Sequence, residues 1–193
     1  MGNLSFGKRF LGKWSTATIV SVGIGAALFG VLMNFASVQV FTNTYVSACM
    51  IIPVFIGALY GPIPACITMF IGNMVADLIG GWGFWFDWSI GNGILGLFIG
   101  ALPLYGARIT EGIFKVPQMI IYVVCCILGN VVAFGLITPV MTYLLYAADL
   151  EITFIQAGFT AIANSIILVL VGLPVLILLT NRFKKHGDLI EED

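Results

Sequence analysis

Asp77 is the one acidic residue set well inside an apolar run, and Asn73 lies four positions before it. At helical spacing the two share a face, so a carboxylate and a carboxamide point in one direction. An unpaired carboxylate in hydrocarbon is costly and calls for a partner or a watery cavity. Two roles are open to it: capping the Gly80-Gly81 turn or bonding a neighbouring span, or a polar contact for a substrate or a gating loop. Asn92, Asn130 and Asn164 stand on later apolar segments, where hydrogen bonds between helices account for them. The histidine His186 sits in a polar tail, and Cys49, Cys66, Cys125 and Cys126 lack metal-site spacing, so no metal site is expected. The cysteines read as small buried hydrophobes. No acid–base pair, Ser/His/Asp set or phosphate-binding Gly-rich loop offers a reaction centre, so neither an enzyme nor a cofactor held by this chain is expected. The lack of a ring of acids or a basic relay argues equally against an ion channel or a proton pump.

A second group of residues is aromatic. The stretch from Trp82 to Trp88 holds three of the four tryptophans of the chain, interspersed with Gly83, Phe84 and Phe86. Such a loop is either an interfacial belt or a lid of stacking surfaces hinged on glycines over an outward-facing pocket. Phe41, Thr42, Asn43 and Tyr45 on a neighbouring loop favour the lid. The expected substrate-facing set is therefore Phe41, Thr42, Asn43, Tyr45, Asn73, Asp77, Trp82, Phe84, Trp85, Trp88 and Asn92.

The elements that position them must lie in a membrane. Hydrophobic residues make up 60% of the 193 and charged ones 9%, far from the balance of a soluble domain. A net charge of −1 gives no reason to expect a nucleic-acid partner. Apolar runs and breakers divide the chain into six segments, at about 16–36, 46–60, 65–79, 88–105, 117–146 and 154–181, the second and third being short for a crossing. Lys8, Arg9 and Lys13 precede the first, Arg108 and Lys115 join the fourth and fifth, and Arg182, Lys184 and Lys185 follow the sixth, which accounts for all 8 basic residues. With six spans these regions share one side, and the positive-inside rule makes it the cytoplasm, both termini included. The expected organisation is a cytoplasmic segment at 1–15, an all-α six-helix membrane domain at 16–181 and a cytoplasmic tail at 182–193. In the first span, Gly23 and Ala27, and likewise Ala26 and Gly30, stand four apart and form a groove of small residues that another helix could approach closely.

The strings Val22 to Leu32, Phe41 to Thr44, Gly57 to Pro62, Asp77 with Gly80 to Gly83, and Gly91 to Leu97 together resemble the substrate-binding S components of energy-coupling factor (ECF) vitamin transporters, closest to the riboflavin-type branch. The likeness covers roughly residues 20–100; the second half agrees in hydropathy. One departure is Asn73, where that branch usually carries a histidine. The resemblance implies a six-helix bundle in the bacterial plasma membrane that binds a vitamin from outside beneath its outward loops. It implies partners: an EcfT-like transmembrane coupling protein, contacted by Gly23, Ala26, Ala27 and Gly30, and two cytoplasmic ATPases that bind the ATP and topple the S component to release substrate inside. The wide aromatic loop and the missing histidine point to cobalamin, with riboflavin or another vitamin as the alternative. The competing classes are a structural or assembly membrane protein and a stand-alone facilitator.

Overall fold

The computed structural model describes residues 6–12, 14–41 and 44–191. A short helix α1 (Phe6–Leu11) precedes α2 (Thr16–Phe35), which begins where the Ser15 hydroxyl accepts a hydrogen bond from the Thr18 N–H at 3.2 Å. Strands β1 (Ser37–Phe41) and β2 (Thr44–Ser47) form an antiparallel hairpin with Ser37 opposite Ser47 and a bulge between Gln39 and Phe41. A 3₁₀ turn, Ala48–Met50, leads into α3 (Ile51–Tyr60), followed by α4 (Pro62–Gly80) and α5 (Phe86–Ile99). Two more 3₁₀ turns, Leu102–Tyr105 and Ile109–Glu111, carry the chain to α6 (Val116–Val132). A π-helical stretch, Ala133–Ile137, joins α6 to α7 (Thr138–Tyr146) without a break. A second one, Leu168–Gly172, joins α8 (Leu150–Ile167) to α9 (Leu173–Glu191).

Among the described residues, five helical stretches are long and apolar enough to cross a membrane: Thr16–Phe35, Pro62–Gly80, Phe86–Tyr105, Val116–Tyr146 and Leu150–Lys185. The expected second segment corresponds to the shorter apolar helix Ala48–Tyr60. At about 1.5 Å per residue it reaches about 20 Å, because the hairpin has taken the residues before it. The third segment is longer than its apolar run suggested. Pro62 stands in its first turn, where the missing N–H would have had no helical partner anyway. The last helix also runs longer, from residue 150, and its backbone continues through 191 into the expected tail.

Close approach of α4 and α5 sets the frame of the site. A Cβ at Gly96 would stand 2.7 Å from the Ala65 carbonyl oxygen, a distance that glycine alone permits. On the other side, Asn34 of α2 donates to the carbonyls of Gly30 and Ala76, at 2.9 and 3.0 Å, tying α2 to α4. Phe29, Met69, Leu95, Ile99, Tyr122 and Phe134 fill the centre. The outer faces of α2, α6 and α8 keep Ile24, Leu28, Ile120, Leu128, Ile162 and Ile166 exposed, as lipid-facing helices do.

The small-residue groove of α2 divides. Positions 23 and 27 lie about 60° around the helix from positions 26 and 30 at ~100° per residue. Gly23 and Ala27 are exposed, and nothing stands within 4 Å of a Cβ built at Gly23. Ala26 is 2% exposed, and a Cβ at Gly30 would come within 2.6 Å of Val75. Gly30 therefore packs against α4 and Ala26 is buried, so of the four expected partner-facing residues only Gly23 and Ala27 lie on an open face of α2.

Candidate ligand cavity

The polar and aromatic residues converge where α4 turns into α5. Gly81 closes α4 at φ +67° and Gly83 follows at φ +80°, left-handed conformations that glycine enters without a Cβ clash. Below this turn, Asp77 Oδ2 accepts from the Trp85 N–H at 3.0 Å and from Asn73 Nδ2 at 3.4 Å. Above it, the Tyr146 hydroxyl of α7 accepts from the Phe86 N–H at 3.1 Å and donates to the Phe84 carbonyl at 3.4 Å. The Tyr146 ring packs on Trp85 with centroids 4.9 Å apart. Residues 81–85 are therefore clamped between α4 and α7.

Asn73 wires the two helices together. Its Nδ2 also donates to Ser89 Oγ at 3.1 Å, and its Oδ1 accepts from Asn92 Nδ2 at 3.0 Å. Asn92 Nδ2 donates in addition to the Trp88 carbonyl at 3.0 Å. Asn73 and Asp77 are 1% and 4% exposed. The chain Asp77–Asn73–Asn92 answers the solvation problem of a carboxylate in a span with neutral donors.

Against this chain lies a cavity of about 460 Å³. Met33, Tyr45, Ser47, Cys49 and Met50 form one wall, and Asn73, Asp77, Trp82, Trp85, Trp88 and Asn92 another. Phe134 of the first π-helical stretch and Thr142 of α7 close a third side. Such π segments recur at functional sites because they re-aim side chains within a helix. The last wall is Ala148, Asp149 and the α8 face Ile152, Thr153, Gln156, Thr160 and Asn164. Tyr45 stacks on Trp82 with centroids 5.7 Å apart and planes 15° from parallel, joining the hairpin to the aromatic loop.

Seven of the residues expected from the sequence line this cavity: Tyr45, Asn73, Asp77, Trp82, Trp85, Trp88 and Asn92. Phe84 is not among the lining residues. It is 45% exposed and stacks on Phe86 at 6.2 Å, since neighbouring residues of a non-helical segment face opposite ways. Thr42 and Asn43 lie outside the described residues, as does the side chain of Phe41. The α8 wall was missed, although its signal is in the sequence. Asp149, Thr153, Gln156, Thr160 and Asn164 recur at steps of four, three, four and four, one polar stripe on an otherwise apolar helix. Asp87 was missed as well. It is fully buried in the first turn of α5 behind the cavity; its Oδ2 accepts from the Thr142 hydroxyl, and its Oδ1 has no hydrogen-bond partner. Of the other buried asparagines, Asn130 bonds back to the Cys126 carbonyl of its own helix at 2.9 Å and lies outside the cavity.

The walls of the cavity present aromatic rings, amides, hydroxyls and two carboxylates. Among the described residues no group of three or more His, Cys, Asp or Glu could hold a metal. No Lys, Arg or His is among the described residues lining it. Two buried polar atoms of its walls lack partners, the acceptor Asn92 Oδ1 and the donor Asn164 Nδ2. Such atoms are costly to leave unpaired, and a bound molecule can satisfy them.

Comparison with known proteins agrees with a binding role. The family model described as ECF-type riboflavin transporter, S component, matches residues 13–181. The UPF0397 protein of Aliivibrio salmonicida is 36% identical over 179 residues, 92% of this chain and 97% of its own length. The UPF0397 protein of Vibrio atlanticus is 34% identical over 181 residues, 93% and 99% of the two chains. Among solved structures, the crystal structure of FolT bound with folic acid matches with a TM-score of 0.61 at 19% identity, covering 88% of this chain and 98% of that one. That likeness concerns the fold. On the family match and the near-full-length relatives, the chain belongs to the family of S components of ECF-type riboflavin transporters.

Proposed function

We propose that this chain captures a planar, non-anionic vitamin of about riboflavin size in the cavity beneath Trp82, Trp85 and Trp88. The observation that carries the reading is the cavity itself: about 460 Å³, walled by aromatic rings and amides and, among the described residues, without a cation. A volume of that size lies in the lower half of the range of about 300–1,000 Å³ used by drug-sized ligands. It suits one fused-ring vitamin. A corrinoid with its nucleotide arm is several times bulkier than a flavin, so the cobalamin expected from the resemblance gives way to a smaller ligand. FolT, the fold neighbour, carries folic acid; the two carboxylates of that ligand would find no basic partner among the described walls here.

The transport reading rests on the family. ECF S components work with an EcfT-like coupling protein and ATPases, and a chain this small needs such an external motor. In this reading the short helix Ala48–Tyr60 completes a six-crossing topology with the basic ends of the bundle in the cytoplasm, so that the cavity opens outward. The test is a thermal-shift screen of the purified protein in detergent against riboflavin, thiamine, hydroxymethylpyrimidine, cobalamin, folate, biotin and pantothenate. A vitamin present at 100 times its Kd stabilises the folded state by about 2.7 kcal/mol. One of the first three is expected to shift the melting point. A shift with folate or biotin alone, or with none, contradicts the reading.

A further inference from the structure

We propose that the cavity selects a planar nitrogen heterocycle bearing a positive charge or a primary amine; this rests on the cavity being the vitamin site. Among the described residues of its walls, the charged side chains are Asp77 and Asp149, both acidic. Asp77 is nearly fully buried, yet its bonds come from the Trp85 N–H and the Asn73 amide, which are neutral donors. They satisfy hydrogen bonding and leave the net charge uncompensated. Directly behind, the buried Asp87 adds a second carboxylate with an unpartnered Oδ1. Arg108, Lys115, Lys184 and Lys185 belong to the other end of the bundle, where Lys184 packs against Gly112.

The neutral wall atoms lean the same way. Asn92 Oδ1, in a residue of the α4–α5 wall, is a buried acceptor without a partner, the group that an N–H would satisfy. Asn164 Nδ2 asks for one acceptor, such as a ring nitrogen or carbonyl. Trp82, Trp85, Trp88 and Tyr45 supply the complementary surface, because the negative face of an aromatic ring attracts a cation. A flat cationic or amine-bearing ring meets the carboxylates, the amide oxygen and the ring faces together. An anionic group would meet two carboxylates and no counter-charge among the described walls.

The experiment is a set of titrations on the purified full chain, read by tryptophan emission and calorimetry, with matched probes. Aminomethylpyrimidine and hydroxymethylpyrimidine share one ring and differ by a primary amine. Riboflavin and flavin mononucleotide share one ring system and differ by a phosphate, and thiamine is a flat cation. Aminomethylpyrimidine is expected to bind about tenfold more tightly than the hydroxymethyl form, and flavin mononucleotide the most weakly of all. Asp77→Asn keeps an oxygen for the Trp85 N–H, and the exposed Asp149→Asn keeps its helix cap; each is expected to pull that ratio toward one. If riboflavin binds best and the two pyrimidines bind alike, the cavity remains a vitamin site and the cation preference is wrong. If no probe binds and no vitamin stabilises the protein, both readings fall.

Discussion

At the scale of single residues, Asp77 and Tyr146 hold the aromatic loop, and three tryptophans line the cavity proposed to take the ligand. Trp85→Ala removes a cavity wall and the ring that Tyr146 packs on. A stacking contact is worth about 0.5–1.5 kcal/mol, so affinity is expected to fall about two- to tenfold by calorimetry, and an unchanged Kd would contradict the assignment. Tyr146→Phe keeps that ring and deletes the hydroxyl bonded to the Phe86 N–H and the Phe84 carbonyl. Amide hydrogen exchange across residues 82–86 is expected to speed up while the helices keep their protection; equal rates would mean the clamp does not restrain the loop. Asp77 was legible in the sequence because a carboxylate in an apolar run has to be explained. That Phe84 stands outside the cavity lining was not legible, because loop composition carries no facing information. The α8 stripe passed unread because threonine and glutamine are cheap enough inside a bundle that none of them, taken singly, demands a ligand.

At the scale of elements, Ala147 and the split face of α2 give the sharpest expectations. Ala147 ends α7 at φ 51°, a left-handed conformation in the connection that runs past the cavity to Asp149. That geometry costs a residue with a Cβ roughly 1–2 kcal/mol, part of which glycine returns through its freer unfolded chain. Ala147→Gly is therefore expected to raise the melting temperature by a few degrees, and a decrease would show the connection to be unstrained. On α2, Gly23→Leu adds a side chain in open space, whereas Ala26→Leu overpacks a buried position at a cost of about 1–3 kcal/mol. Gly23→Leu is expected to abolish pull-down with the coupling protein and spare vitamin binding, while Ala26→Leu lowers the melting point. Normal assembly of Gly23→Leu would remove this face from the partner surface. Helix positions followed from apolar runs, but two boundaries did not. α4 begins at Pro62, three residues before the expected 65, and the Val38-Gln39-Val40 alternation of β1 is too short to stand out in so apolar a chain.

At the scale of the whole molecule, this is a multi-pass protein of the plasma membrane whose family supplies the binding component of a transporter, not an enzyme. Charge and chemistry are segregated along its length. The aromatic and acidic cavity occupies one end, and the basic connections around Gly112 and Lys184 the other. In the sequence this polarity was visible as the grouping of all basic residues in alternate connections, which is why the architecture was legible before the ligand. The volume of the cavity was not, because it is made by α8 and the π-helical stretch, elements far from the aromatic loop in sequence. The most direct test uses Trp14→Phe, which leaves the three cavity tryptophans as the emitters of the chain. Titrating it with the vitamin panel is expected to give one saturable change in emission, at one molecule per chain, for a flat non-anionic vitamin. A ligand that stabilises the protein without altering that emission, or a panel in which only anionic vitamins alter it, would contradict the account.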